Sequence, residues 1–487
     1  MNDYNYYLKK IGEYAEVTEI TYPIVKAVGL PGAKIKEIVI FESGEIGQIH
    51  DLNSDCIRII LFSPNAVKVG TKVSRTDSQL KVPARDDYFG HVLDPFCNHL
   101  LVPLAKKKVD TFLQIDIAPL SIHERVKISK PLVTGTALVD IVLPLGLGQR
   151  ELILGDRKTG KSTFVLSAIK THIDNGAIAI YAAIGNKKSD IKALEEFMNG
   201  EENRKKNMII VASSAFDSPG LIYLTPFTAM ALAEYYRSKG KDVLVIMDDL
   251  LTHAKFYREF SLLAESFPGR DSYPGDIFHI HAKLLERAGN FPHPEKDSVS
   301  ITCLPIAETQ DADLTGYIVS NLMSITDGHL FFDGNVYARG ARPAINIPLS
   351  VTRVGKQTQD KLTKDVNREL TSLLSIYERV ENLSHFGTEV SDSVKNTLAL
   401  GEKIQYFFNQ PEGTTFSKEV YLVLFALIWL GIFNTEAEIE VAREKLQVAA
   451  ATPEGDKFLT DLLNTDTLNG LLKVTGNNKD AIIKMMN

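Results

Sequence analysis

The sequence predicts a multidomain α/β protein, and three observations carry that prediction. Short runs rich in valine and isoleucine, broken by turns, fill residues 17–82. Strands alternate with longer helical patterns over residues 83–360, and one strand there runs into a glycine-bounded turn. From residue 361 to 487 the pattern is helical almost throughout. Residues 1–16 form a polar lead ahead of these three domains.

Composition bounds the functional classes. A chain of 487 residues is too long for one ordinary domain, and 44% hydrophobic with 24% charged residues is the make-up of a soluble globular protein. A formal net charge of −7 argues against a dedicated nucleic-acid binder. Cys56, Cys97 and Cys303 lie far apart with no Cys-x-x-Cys, so they read as small core residues in a reducing compartment. The N-terminus has no apolar signal core, so secretion is not expected. The longest apolar run, Val420 to Phe433, is too short to span a bilayer and reads as a buried helix. Membrane contact is therefore expected only through partners.

In the first domain, turns at Leu30-Pro31-Gly32, Glu42-Ser43-Gly44-Glu45, Asp51-Leu52-Asn53 and Ser63-Pro64-Asn65 separate the short strands. That spacing suits a small β-barrel or sandwich acting as scaffold.

The second domain contains Glu151-Leu152-Ile153-Leu154-Gly155-Asp156-Arg157-Lys158-Thr159-Gly160-Lys161-Ser162, a strand, a turn and the start of a helix. The turn fits G-x-x-x-x-G-K-[ST]. Gly155 and Gly160 allow the backbone to curl around an anion, and Lys161 reaches the terminal phosphates as a point charge. Successive amides and the following helix N-terminus face the phosphates, and the Ser162 hydroxyl is a ligand for Mg²⁺. Gly155, Asp156, Arg157, Lys158, Thr159, Gly160, Lys161, Ser162 and Thr163 are the candidate nucleotide contacts. A second strand, Val243 to Asp248, is apolar until it ends in two carboxylates, and Asp248 is the candidate that holds Mg²⁺ through water. Pro268 to Asp276 is too rich in turn residues for a helix or strand. In the third domain Leu362, Val366, Leu370, Leu373 and Leu374 share one helix face. Lys106-Lys107-Lys108 reads as a solvated loop.

These motifs, taken with Thr134 to Asp140, Leu143-Pro144-Leu145-Gly146, Gly148-Gln149-Arg150-Glu151, Ala183 to Ser189, Leu284 to Ala288, Arg342 to Asn346 and Ser350 to Gly355, resemble the alpha subunit of F-type rotary ATPases. The resemblance runs in order from about Val17 to near the end, weakest in the last helices. It implies an N-terminal β-barrel, a central RecA-like P-loop core with a mostly parallel sheet, and a C-terminal helical bundle. It also implies ATP or ADP with Mg²⁺, and three such chains alternating with three catalytic beta-type partners around a central rotor stalk. A peripheral stator is a further partner, no nucleic acid is expected, and the complex would lie in the cytoplasm against the inner face of the cell membrane.

Within that resemblance, Asn186 stands where catalytic partners carry a glutamate that polarises the attacking water. An amide cannot take a proton near neutral pH, so the isolated chain is expected to be inactive. Arg353 matches the arginine that reaches into the neighbouring subunit's site, where a guanidinium stabilises phosphoryl transfer. Tyr337, Arg342 and Pro343 are implied near the adenine, with Gln410 closing the pocket.

Three departures mark this chain. Lys158 replaces the usual glutamine, the lead is shorter than in many alpha subunits, and Pro411-Glu412-Gly413 interrupts the usual polar turn. The short lead opens an alternative: an F-type-like ATPase, of the kind found in mycoplasmas, driving cell-surface machinery such as gliding. A ring member with an empty phosphate loop is another reading. A self-sufficient secretion ATPase or a Rho-like RNA translocase would need an acidic residue where Asn186 stands.

Overall fold

The computed structural model describes residues 3–65, 67–100, 109, 111–384, 392–411, 413–433 and 435–486. Lys106-Lys107-Lys108 and Glu412 lie outside them. The chain divides into two compact units. One comprises Met1–Lys127, Gly176–Thr309 and Asp313–Thr326; the other comprises Ile128–Asn175, Gln310–Ala312 and Asp327–Asn487.

The first unit opens with helix α1 (Tyr4–Ile11) inside the polar lead. Asp3 caps it by accepting from Tyr6 N at 2.9 Å, and Gly12, in the left-handed region at φ 78°, closes its end. Six strands follow: β1 (Ala15–Thr21), β2 (Ile24–Gly29), β3 (Glu37–Phe41), β4 (Ile46–Leu52), β5 (Ile57–Leu61) and β6 (Lys72–Gln79). They close antiparallel in the order β1-β2-β5-β4-β3-β6, which makes this domain a barrel. Val17, Val25, Val39, Phe41, Ile59 and Leu61 fill its interior, the inward half of each alternating strand. Cys97 and Cys303 are buried as core residues, whereas Cys56, beside a turn between two strands, is only half-buried.

The same unit carries a run of parallel strands in the order Lys296–Glu308, Val243–Asp248, Ile178–Asn186, Met208–Ser214 and Val92–Leu93. Gly289–His293 adds an antiparallel partner to the first. Val243 to Met247 are all buried, which explains their unbroken apolar sequence. The turn-rich stretch near residue 270 contains a single 3₁₀ turn, Arg270–Ser272.

In the second unit, the strand Glu151–Gly155 pairs in parallel with Gly328–Phe332, and Val351–Thr352 lies antiparallel against the latter. The helix Lys161–Asp174 leaves the glycine turn. Among the described residues, seven helices from Lys361 to Met485 form the C-terminal region. Among them Lys418–Trp429 is central, with every residue from Val420 to Ile428 buried. It stops before Phe433 because Gly431 takes a left-handed φ of 70°. On Lys361–Ser384, Leu362, Val366, Leu370 and Leu374 are buried and Leu373 is half-buried, as the helical spacing requires. The protein is thus a multidomain α/β protein: an N-terminal barrel, a RecA-like P-loop core with mostly parallel strands, and a C-terminal helical bundle.

Candidate functional site

The phosphate loop is built by its neighbours. Gly155 has φ 147°, and a Cβ there would run into the carbonyl oxygen of Phe332 on the adjacent strand. Gly160 has φ 93° with open space around it, so backbone conformation alone requires glycine. Thr159 Oγ1 donates to Asp156 O at 2.8 Å, and both oxygens of Asp156 accept from Ala312 N at 3.1 Å. Lys161 Nζ donates to Gly155 O at 2.8 Å and Asp156 O at 2.5 Å, folding its ammonium over the turn. Arg157, Lys158 and Ser162 are exposed at the rim and Thr163 is half-buried. Lys158 adopts φ 61°, a conformation with some cost for a side chain beyond glycine or asparagine.

Beside the loop, a cleft is lined by Thr159, Thr163, Phe164, Arg342, Pro343 and Gln410, among others. Gln410 is buried there with its amide fully engaged: Oε1 accepts from Ala137 N at 2.6 Å and Nε2 donates to Gly135 O at 3.0 Å. Tyr337 is not part of this lining; the Arg342 guanidinium lies over its ring at 3.4 Å. Asp140 fixes the segment that Gln410 grips. Its carboxylate accepts from Thr134 N, Thr134 Oγ1 and Gly135 N at 2.8–3.0 Å, while burial raises its pKa to about 7. Sequence reasoning noted Thr134 to Asp140 as a motif and gave Asp140 no task. A lone acid in the apolar run Ala137–Val142 is the signal that marks it.

In the other unit, Asn186 and Asp248 come together. They end neighbouring parallel strands, with Ala183 in register with Asp248. Asn186 Nδ2 faces Asp248 Oδ2 at 3.4 Å, and with the amide turned it donates instead to the carbonyls of Ile184 and Asp248 at 3.2 Å. Tyr181 OH donates to the same Asp248 oxygen at 2.7 Å. Tyr181 is a further residue that sequence reasoning missed, the one hydroxyl in an otherwise apolar strand. The next residue, Asp249, caps the following helix through Thr252 N, and burial raises its pKa to about 6.

Arg353 stands apart from the loop. Glu151 is in register with Gly328, and Gly328 with Thr352, so Arg353 emerges beside the start of the strand whose other end is Gly155. Four residue steps of strand separate those ends, roughly 13 Å, before the loop itself begins. Arg353 N donates to Asp327 O at 3.2 Å, and Asp327 grips Arg150 through a two-pronged ion pair at 2.7 and 3.1 Å. The Arg353 side chain is exposed, and its guanidinium makes no hydrogen bond or salt bridge among the described residues.

Barrel, phosphate loop and helical bundle together define a P-loop nucleotide-binding protein. Residues 135–352 match the nucleotide-binding domain of the ATP synthase alpha/beta family, and residues 359–473 match the C-terminal domain of its chains. The ATP synthase subunit alpha of Mycoplasma genitalium is 36% identical over 426 residues, 86% of this chain and 82% of that protein. Those of Helicobacter pylori (strain Shi470) and Dictyoglomus turgidum are each 38% identical, over 81% and 82% of this chain and 78% and 80% of theirs. The chain belongs to the alpha-subunit family of the F-type ATP synthases, a family that binds nucleotide.

Proposed function

We propose that this chain is a nucleotide-holding, non-hydrolysing subunit of a rotary ATPase ring, and that it donates Arg353 to the nucleotide of a neighbouring catalytic beta-type chain. The observation that carries this reading is the placement of Arg353. It lies exposed at the end of the Glu151–Gly155 strand away from the loop, farther than an arginine side chain extends. A fixed cation in that position has no phosphate of its own to serve. It suits stabilising charge on a transferring phosphoryl group brought by another chain.

The chain's own nucleotide, ATP or ADP, would sit on the glycine turn with Lys161 turned from its carbonyl partners onto phosphate. Mg²⁺ takes oxygen ligands, and two groups fit that demand, each within its own unit: the exposed Ser162 hydroxyl on the first helical turn and the Asp248 carboxylate. The ion would neutralise phosphate charge. Asn186, an amide that makes or accepts hydrogen bonds without accepting a proton, offers no general base for water. Arg342, Pro343 and Gln410 bound the cleft proposed for the base, with Tyr337 supporting Arg342 from outside it.

Three such chains would alternate with three catalytic partners around a rotor stalk, with a stator as a further contact. The ring would lie against the inner face of the cell membrane. No described helix is long and apolar enough to cross a membrane, so this association runs through other subunits. Reconstituting the ring with its catalytic partner and replacing Arg353 by alanine tests the reading: multi-site turnover is expected to collapse while this chain keeps its nucleotide.

A further inference from the structure

The strand Ile178–Asn186 carries one hydroxyl, and packing alone does not ask for it. Tyr181 is 2% exposed, and a phenylalanine would fill the same volume with no polar atom to satisfy. Its OH donates to Asp248 Oδ2 at 2.7 Å, the phenol being the donor because an ionised carboxylate only accepts. Register explains how the two meet. Tyr181 pairs with Ile246 and Ala183 with Asp248 in a parallel ladder, so Asp248 lies two residues further along the neighbouring strand, on the same face as Tyr181.

The groups beside this bond narrow its role. Asp249 is committed to the helix Leu250–Leu263, its oxygens accepting from Thr252 N and, at 3.1 Å, from Thr252 Oγ1. Asn186 is a weaker donor to Asp248 at 3.4 Å, and with its amide turned it bonds carbonyls instead. Tyr181 therefore supplies a short, buried bond to the one of two adjacent acids that the helix cap does not use. Asp248 is half-buried at the end of its strand. A carboxylate there can sample several rotamers, and a bond to a phenol locked inside the sheet removes that freedom.

We propose that Tyr181 is a positioning residue for Asp248: its buried hydroxyl holds Oδ2 and so sets the direction in which the carboxylate meets the water shell of Mg²⁺. This rests on the reading of Asp248 given above. Removing a partner that orients a ligating carboxylate typically costs about tenfold or more in metal affinity. Loss of the hydroxyl therefore weakens nucleotide binding only where Mg²⁺ accompanies the nucleotide.

The test titrates ATP into the full chain by calorimetry, in excess Mg²⁺ and in EDTA, and the ratio of the two affinities is the gain from Mg²⁺. In Tyr181→Phe that gain is expected to fall about tenfold with the EDTA affinity unchanged. Asp248→Asn is expected to lose the gain, with no further loss when the two substitutions are combined. A wild-type gain in Tyr181→Phe overturns the proposal. So does an equal loss in Mg²⁺ and in EDTA, which would mark a structural role, or a loss that multiplies with that of Asp248→Asn. A full gain in Asp248→Asn, or no gain in the wild-type chain, removes the parent reading as well; loss in Asp248→Asn without loss in Tyr181→Phe removes only this one. Should Tyr181→Phe not fold, 3-fluorotyrosine in place of Tyr181 keeps the hydroxyl, and its fluorine resonance is expected to move with Mg-ATP and not with ATP in EDTA. A resonance indifferent to Mg²⁺ overturns the proposal.

Discussion

Arg353 and Gly155 stand at opposite ends of one short stretch of sheet: Gly155 closes the Glu151–Gly155 strand, and Arg353 follows Thr352, which is in register with that strand's first residue through Gly328. A strand rises about 3.3 Å per residue, so the chain's phosphate loop and its exposed guanidinium are separated by rigid hydrogen-bonded backbone. In the proposed role, one end would receive an anion and the other would offer a cation to another chain. On the function proposed above, a single chain of this kind would hold half of each of two chemistries, which is what a ring of alternating subunits would use.

Lys161→Ala is expected to weaken Mg-ATP binding by the isolated chain about 100-fold or more, read by calorimetric titration. Lys161 Nζ bridges the carbonyls of Gly155 and Asp156, so the urea midpoint of the variant is measured alongside. An unchanged affinity would show that nucleotide binds elsewhere.

Gln410→Ala tests whether that residue serves nucleotide or backbone. Its amide pairs Ala137 N and Gly135 O, both buried, so truncation leaves a donor and an acceptor unsatisfied. A loss of about 2 kcal/mol in stability without nucleotide is expected, read from the urea midpoint. A loss of affinity with unaltered stability would instead make Gln410 a ligand.

His253 and His281 form a buried pair at 3.0 Å, and His253 stacks on Tyr223 in a cluster with Phe227, Tyr257 and Phe260. Burial lowers the pKa of His253 to about 4 and depresses that of His281 well below its ordinary 6.5. The unfolded chain therefore binds these protons at a higher pH than the folded one. Stability is fully present above about pH 6.5 and is lost as pH falls toward 4, by about 3 kcal/mol for His253 alone. Urea unfolding at pH 7 and pH 5 measures this, and His253→Gln should flatten the dependence. A slope unaltered by the substitution would assign the acid loss to other groups.

The fold and the loop were legible in the sequence because each rests on local rules. Glycine at 155 and 160, valine-rich runs in the barrel and leucines at helical spacing announce conformations that neighbours only reinforce. Helix α1 escaped notice because its two end signals, Asp3 and Gly12, flank a segment of only eight residues, too short to display a helical period. The supporting groups were hidden for a different reason. Tyr181 and Asp140 sit inside apolar stretches, and their tasks depend on register across strands or on the fold of a neighbouring loop. Gln410 was assigned to the base-side pocket by resemblance; it lines that cleft, and its amide also bonds the backbone of Gly135 and Ala137, a pairing no local signal announces.

The isolated chain should bind Mg-ATP and release no phosphate above background in a steady-state assay, since Asn186 supplies no base. Brisk turnover by the pure chain would overturn the non-hydrolysing role.

The most direct measurement of the central claim is the turnover of a ring assembled from the catalytic partner and this chain carrying Arg353→Ala, with nucleotide content measured on the same sample. The account predicts a fall of about 10³ or more in multi-site rate with nucleotide still bound to this chain. A ring that turns over at the wild-type rate would contradict it.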